Sequence, residues 1–153
     1  MSERDRGNLR KISWEQVKNY NQMLFNLIEK SGFKPDFILG IVRGGLAPAS
    51  LLTYLIPEAS FLSLRVIKNG DERKIDASIV NQIDFNGKNV LVVEDMLETG
   101  RSAWEARDFL KMKGANVKVA CYFASQKSEI DPDFVLEKGV VDKIVFPWEN
   151  LGK

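Results

Sequence analysis

Val90-Leu91-Val92-Val93-Glu94-Asp95-Met96-Leu97-Glu98-Thr99-Gly100-Arg101-Ser102 is the stretch whose reading decides the fold. Four consecutive apolar residues predict a strand covered on both faces. Two acids follow at its carboxyl end, then a Thr-Gly-Arg-Ser turn, then a helical pattern over 103–113 that Gly114 ends. Upstream, Asn86-Gly87 marks the turn into this strand. Downstream, 116–123 reads as another strand and 140–146 as a last short one.

The same alternation runs through the first half. Ser13-Trp14-Glu15-Gln16 has the form of a capping box. Val17, Tyr20, Leu24, Leu27 and Ile28 then recur at helical spacing, and Gly32 supplies the stop. Pro35-Asp36 opens a strand over 37–42, and Arg43-Gly44-Gly45 breaks it. A helix is expected over 46–54, with Pro48 tolerated in its first turn. Residues 61–65 read as a strand. From 66 to 81 the pattern dissolves into a long polar loop around Lys68-Asn69-Gly70-Asp71, the kind that is functional or mobile in a compact domain. Strands alternating with helices predict an α/β fold: a central, mostly parallel sheet flanked by helices, as one domain spanning 1–153. In such sheets ligands sit beyond the carboxyl ends of the strands, where 43–45 and 94–102 both fall.

The residue types in those loops point to a ligand class. Glu94 and Asp95 are costly at the edge of a buried strand unless they find donors or a cation. A ribose diol offers donors and hydrated Mg²⁺ offers charge. An acid pair that caps a helix or bridges to a neighbour satisfies the same residues. Thr99, Gly100 and Ser102 place hydroxyls and an unhindered backbone at a helix N-terminus, where N–H groups bind phosphate. A plain N-cap by Thr99 or Ser102 is the alternative. Acids and turn in contiguous order favour a phosphorylated sugar.

Composition narrows the field. The chain has 153 residues, 44% hydrophobic and 28% charged, with a net charge of +1, so no global field recruits nucleic acid. The absence of histidine removes His-based zinc sites, His general bases and Ser-His-Asp triads. A single cysteine, Cys121, excludes a disulfide framework and fits a reducing, cytoplasmic setting. The first ten residues carry no apolar signal core, and no apolar run approaches the ~20 residues a membrane helix needs. Gly40-Ile41-Val42-Arg43-Gly44-Gly45 lacks the G-x-G-x-x-G spacing of a dinucleotide site.

Residues 90–102 resemble the phosphoribosyl-pyrophosphate motif of the type I phosphoribosyltransferases: an apolar strand, two acids, two or three variable residues, then Thr-Gly-x-Thr/Ser. Arg101 stands where many members have Gly and purine-salvage members often have Lys, and Ser102 replaces the commoner Thr. Residues 38–49, with Arg43-Gly44-Gly45, resemble the pyrophosphate loop of the 6-oxopurine branch. The 14–32 helix with Lys34-Pro35-Asp36, Pro132-Asp133-Phe134 and Val145-Phe146-Pro147-Trp148-Glu149 are similar to xanthine and hypoxanthine/guanine members. The similarity covers about residues 12 to 150.

The resemblance implies the type I, Rossmann-like fold with a small hood from the chain ends. It implies Mg²⁺-dependent transfer of a phosphoribosyl group from 5-phosphoribosyl 1-pyrophosphate to hypoxanthine, guanine or xanthine in purine salvage. It also implies a homodimer or homotetramer. Glu94 and Asp95 would hold the ribose hydroxyls, directly or through Mg²⁺. Glu98, Thr99, Gly100, Arg101 and Ser102 would cradle the 5′-phosphate; Arg43, Gly44 and Gly45 would hold pyrophosphate, with Arg43 stabilising the leaving group. Glu98 stands where purine members commonly place an Asp that takes the proton from purine N7, and a first-turn helix acid is its plain reading. The 66–80 loop corresponds to the family's mobile lid; Lys68, Arg73 and Lys74 could touch phosphate there, but its usual Ser-Tyr pair is not evident. The base site departs from the pattern. Ser125 replaces a Lys, leaving Lys127 as substitute, and Lys143 or Ile144 takes the place of a stacking aromatic, a loss of ~1–3 kcal/mol. Lys127, Ile144 and Val145 are the base-binding candidates. The competing expectation is a non-catalytic regulator of the same fold that binds the donor or a nucleotide.

Overall fold

The computed structural model describes residues 7–151. Most of the polar opening of the chain therefore lies outside the described residues. In chain order the elements are β1 (Leu9–Lys11), α1 (Trp14–Ser31), β2 (Phe37–Val42), α2 (Leu46–Leu55), β3 (Ser60–Asn69), β4 (Glu72–Asp76), β5 (Asn89–Val93), β6 (Met96–Leu97), α3 (Arg101–Met112), β7 (Asn116–Ser125), β8 (Phe134–Val140) and β9 (Lys143–Val145). Short 3₁₀ turns occupy Val80–Gln82 and Pro147–Asn150.

A seven-stranded sheet runs in the order β4-β3-β2-β5-β7-β6, with β8 also paired to β7. Every pairing in it is parallel except β3 with β4. The four apolar residues 90–93 are fully buried in β5, at the centre of this sheet. One face packs α1 and α2 through Leu24, Ile28, Ala49, Leu52 and Tyr122; the other packs α3 through Ala106, Leu110, Val119 and Cys121. This is the expected α/β architecture with both faces covered.

Local chemistry sets the boundaries. Ser13 Oγ accepts from Gln16 N–H while Gln16 Oε1 accepts from Ser13 N–H, the capping box read from sequence and worth ~1 kcal/mol. Gly32 closes α1 in the left-handed region at φ 77°, which only Gly adopts cheaply. The hood is a two-stranded parallel sheet, β1 with β9, separate from the main one. Arg10 fastens it with ion pairs to Glu137 (2.8 Å) and to Asp142.

Three elements differ from expectation. Residues 66–81 are not a structureless loop: β3 continues to Asn69 and returns as β4, a hairpin turned at Gly70, followed by a 3₁₀ turn. Most of this hairpin is exposed, so it carries no buried stripe for a pattern to reveal. The strand expected over 140–146 is two strands broken at Val141-Asp142, with β8 ending where β9's partner changes. β1 has no apolar signature and is held by its ion pairs.

Candidate active site

The acid pair does not simply end a strand. Glu94 N–H donates to the Ala120 carbonyl (3.0 Å), the Asp95 carbonyl accepts from Tyr122 N–H (3.1 Å), and pairing with β7 resumes at Met96. Extended backbone sends successive side chains to opposite faces. Glu94 accordingly shares its surroundings with Lys68 and Glu98, while Asp95 meets Gly44 and the C-terminal turn at Trp148 and Glu149. Burial, reinforced by the negative charge of Asp95, raises the Glu94 carboxyl to about 8. Burial also raises Asp95 to about 6, against the pull of the Met96 N–H, which donates to Asp95 Oδ1 at 2.6 Å. Two partly buried carboxylates without a salt-bridge partner among the described residues are poised for a cation or hydroxyl donors.

Both acids line a cavity of about 400 Å³ at the carboxyl ends of the strands. Its floor is the turn 98–103. Gly100 begins α3 at φ 79° with no side-chain cap, and α3 has no acid in its first turn. The Thr99 carbonyl is taken by Glu129 N–H (2.8 Å), and Gly100 O accepts from Trp104 N–H (2.9 Å). Arg101 N–H reaches Thr99 Oγ1 only at 3.4 Å. The N–H groups of Ser102 and Ala103 have no protein acceptor among the described residues. An uncapped helix end opening into a cavity presents free N–H groups of the kind that bind anions. Gly100 also packs tightly, since a Cβ there would stand 3.0 Å from Ser128 Oγ and from Ile130.

The hairpin supplies the positive wall. Lys68 and Arg73 are directly paired across β3 and β4, and both line the cavity. Like charges in that relation destabilise a hairpin unless an anion lies between them. The Arg101 side chain is engaged by Glu129 (3.4 Å) and Asp71 (3.7 Å). The opposite wall is apolar and comes from Met96 together with Ile144 and Phe146 of the hood. Phe146 is stacked on Trp148 at 4.8 Å, and Trp148 leans on Trp14. Glu149 stands on that wall, its Oε2 accepting Phe146 N–H at 2.6 Å.

Of the residues singled out from sequence, the structure brings Lys68, Arg73, Glu94, Asp95, Glu98, Thr99, Gly100, Arg101, Ser102 and Ile144 to this cavity, and leaves Lys74 outside its lining. Arg43, exposed beside a cis Val42–Arg43 bond, and Gly45 lie outside its lining. Gly44 also lies outside the lining but abuts the Asp95 carboxylate, where a Cβ would stand 2.5 Å from Oδ2. Lys127 is exposed, and neither it, Ser125 nor Val145 lines the cavity. Phe146 and Glu149, which also line the cavity, belong to the segment 145–149 whose resemblance to the family is the sequence signal for them.

No group of three or more His, Cys, Asp or Glu able to hold a metal exists among the described residues. Two adjacent hard carboxylates nevertheless suit Mg²⁺, which takes one or two from protein and completes its shell with water and phosphate.

The phosphoribosyl transferase domain family matches residues 13–150, and the chain belongs to it. The chain is 31% identical over 141 residues to the orotate phosphoribosyltransferase of Oceanobacillus iheyensis, covering 92% of this chain and 68% of that protein. It is 29% identical over 143 residues to the xanthine-guanine phosphoribosyltransferase of Desulfotalea psychrophila, covering 91% and 85%. The solved purine phosphoribosyltransferase of Pyrococcus horikoshii superposes with a TM-score of 0.83 at 28% identity, over 95% of this chain and 97% of that one. The fold is that of the type I phosphoribosyltransferases.

Proposed function

We propose that the protein transfers a phosphoribosyl group from 5-phosphoribosyl 1-pyrophosphate to a purine base (hypoxanthine, guanine or xanthine), releasing pyrophosphate. The observation that carries this reading is the meeting, in one cavity, of the uncapped start of α3 with the carboxylates of Glu94 and Asp95, which no salt bridge engages among the described residues. The first fits a 5′-phosphate and the second a ribose diol.

The remaining roles follow from position. Ser102 and Ala103 N–H groups, with Thr99, grip the 5′-phosphate. Lys68 and Arg73 face the pyrophosphate, and the Gly44 backbone stands beside it; Arg43 sits one residue away as a charged reserve. As the C1′–O bond breaks, its electrons pass to the pyrophosphate oxygen, and the two hairpin cations stabilise that charge. Glu98, exposed at the cavity edge, accepts the proton the base nitrogen loses. Glu94 and Asp95 would hold Mg²⁺, which supplies positive charge to the donor's oxygens. The apolar wall of Met96, Ile144 and Phe146 receives the base. A homodimer is supported by α2, which has no charged residue yet exposes Leu46, Leu51 and Tyr54. The setting we infer is cytoplasmic salvage; no helix among the described residues is long and apolar enough to cross a membrane.

Pyrophosphate release from the donor and Mg²⁺ with each base in turn tests the reading. Turnover with any purine sustains it. Ser125 and Lys127, both outside the cavity, favour the second reading, a regulator: donor binding without turnover on any base would establish it.

A further inference from the structure

The acceptor end of the cavity is electrically lopsided. Its cations, Lys68 and Arg73, sit together on the hairpin, and Arg101 is engaged by Asp71 and Glu129. Glu149 stands beside Phe146 and acts on Asp95, while Glu98 shares the surroundings of Glu94 and Lys68. Asp95 belongs to the donor site and Glu98 to the proton. Glu149 has no task yet.

Its geometry suits recognition. Phe146 N–H holds Oε2 at 2.6 Å, which fixes the carboxylate beside the apolar wall. A carboxylate offers about four acceptor positions, so one backbone N–H leaves most of its capacity free. No salt bridge engages it among the described residues. A carboxylate fixed in this way is complementary to a planar ligand presenting two adjacent N–H donors, and it opposes an anion.

We propose that Glu149 is a specificity-determining residue: it selects an acceptor with a donor–donor edge, a ring N–H beside an amino group as in guanine, over one with a single donor. It also rejects anionic acceptors such as orotate. This rests on the transferase reading and narrows it. Hypoxanthine offers one donor on that edge. Orotate would bring its own carboxylate against those of Asp95 and Glu149.

The test compares kcat/KM for guanine, hypoxanthine and orotate in the wild type and in Glu149→Gln. The Gln side-chain oxygen still accepts Phe146 N–H, so the turn keeps its cap, and a melting curve checks this. The expected wild-type ratio of guanine to hypoxanthine is at least about tenfold, with no pyrophosphate release from orotate. In Glu149→Gln the ratio collapses to within about threefold. Equal use of guanine and hypoxanthine, release with orotate, or an unchanged ratio in the variant overturns the inference and leaves the transferase reading standing. If no base is turned over, the transferase reading fails by itself. Calorimetric titration with guanosine and inosine 5′-monophosphate then decides for Glu149. Guanosine monophosphate bound about tenfold tighter sustains it; equal binding, or none, overturns it.

Discussion

Gly44 and Glu94 carry the sharpest consequences of single side chains. A methyl group on Gly44 would press on the Asp95 carboxylate at 2.5–2.7 Å, a contact that must push one of them aside. Gly44→Ala is expected to melt within a degree or two of the wild type while losing about 100-fold in kcat/KM for the donor, because displacement of a positioned group is that costly. Steady-state kinetics beside a melting curve checks both halves. The Glu94 carboxyl, raised by burial to about 8, binds its proton more tightly folded than unfolded. Its contribution is therefore full at low pH and is lost as pH rises through that value. Metal-free protein should lose stability between about pH 5 and 8. Glu94→Gln should flatten that slope, as should saturating Mg²⁺; denaturant titrations across that range measure it, and an unchanged slope in the variant counts against the assignment. At this scale the sequence was informative wherever residues are contiguous, since 94–102 line one cavity. Phe146 and Glu149 were hidden because they stand about 50 positions further on, joined to the acids only by the hood. Counting along the strand puts Ser125 at the expected lysine position and offers Lys127 two residues on as its substitute; past an irregularity in β7 between Phe123 and Ser125, Lys127 is exposed and outside the cavity lining.

Among the elements, the β3–β4 hairpin is the one whose form departs most from expectation. Its two cations face each other across the strands at some cost to the empty protein. Replacing Lys68 or Arg73 by Ala should leave the melting temperature unchanged or slightly higher, while raising the donor KM about tenfold, the worth of one charge-assisted hydrogen bond. A fall in stability with no change in KM would assign the pair a structural role. The central strands β2, β5 and β7 were legible because burial on both faces demands runs of apolar residues. β8 was not: Glu137, Lys138 and Gly139 interrupt it, and only its ends are buried. The hairpin's strands were hidden for the same reason, leaving only the polar turn around Gly70 to mark them, since a projecting ribbon buries almost nothing that alternates.

On the scale of the whole molecule, α2 asks for a neighbour. Tyr54 is 82% exposed on a helix without charge, with Leu46 and Leu51 on the same element. Sedimentation should find a dimer that Tyr54→Lys converts to monomer, because a two-fold contact sets each new charge near its copy; an unaltered dimer would move the interface elsewhere. The division into two sheets has a further outcome. On the proposed reading, grip on the sugar phosphate belongs to the seven-stranded body, whereas Ile144, part of the wall for the base, rides on the two-stranded flap of β1 and β9. Mutations in that flap can rewrite which partner is accepted without loosening the hold on the donor. A lineage built this way is free to diversify in its choice of base while inheriting its chemistry intact.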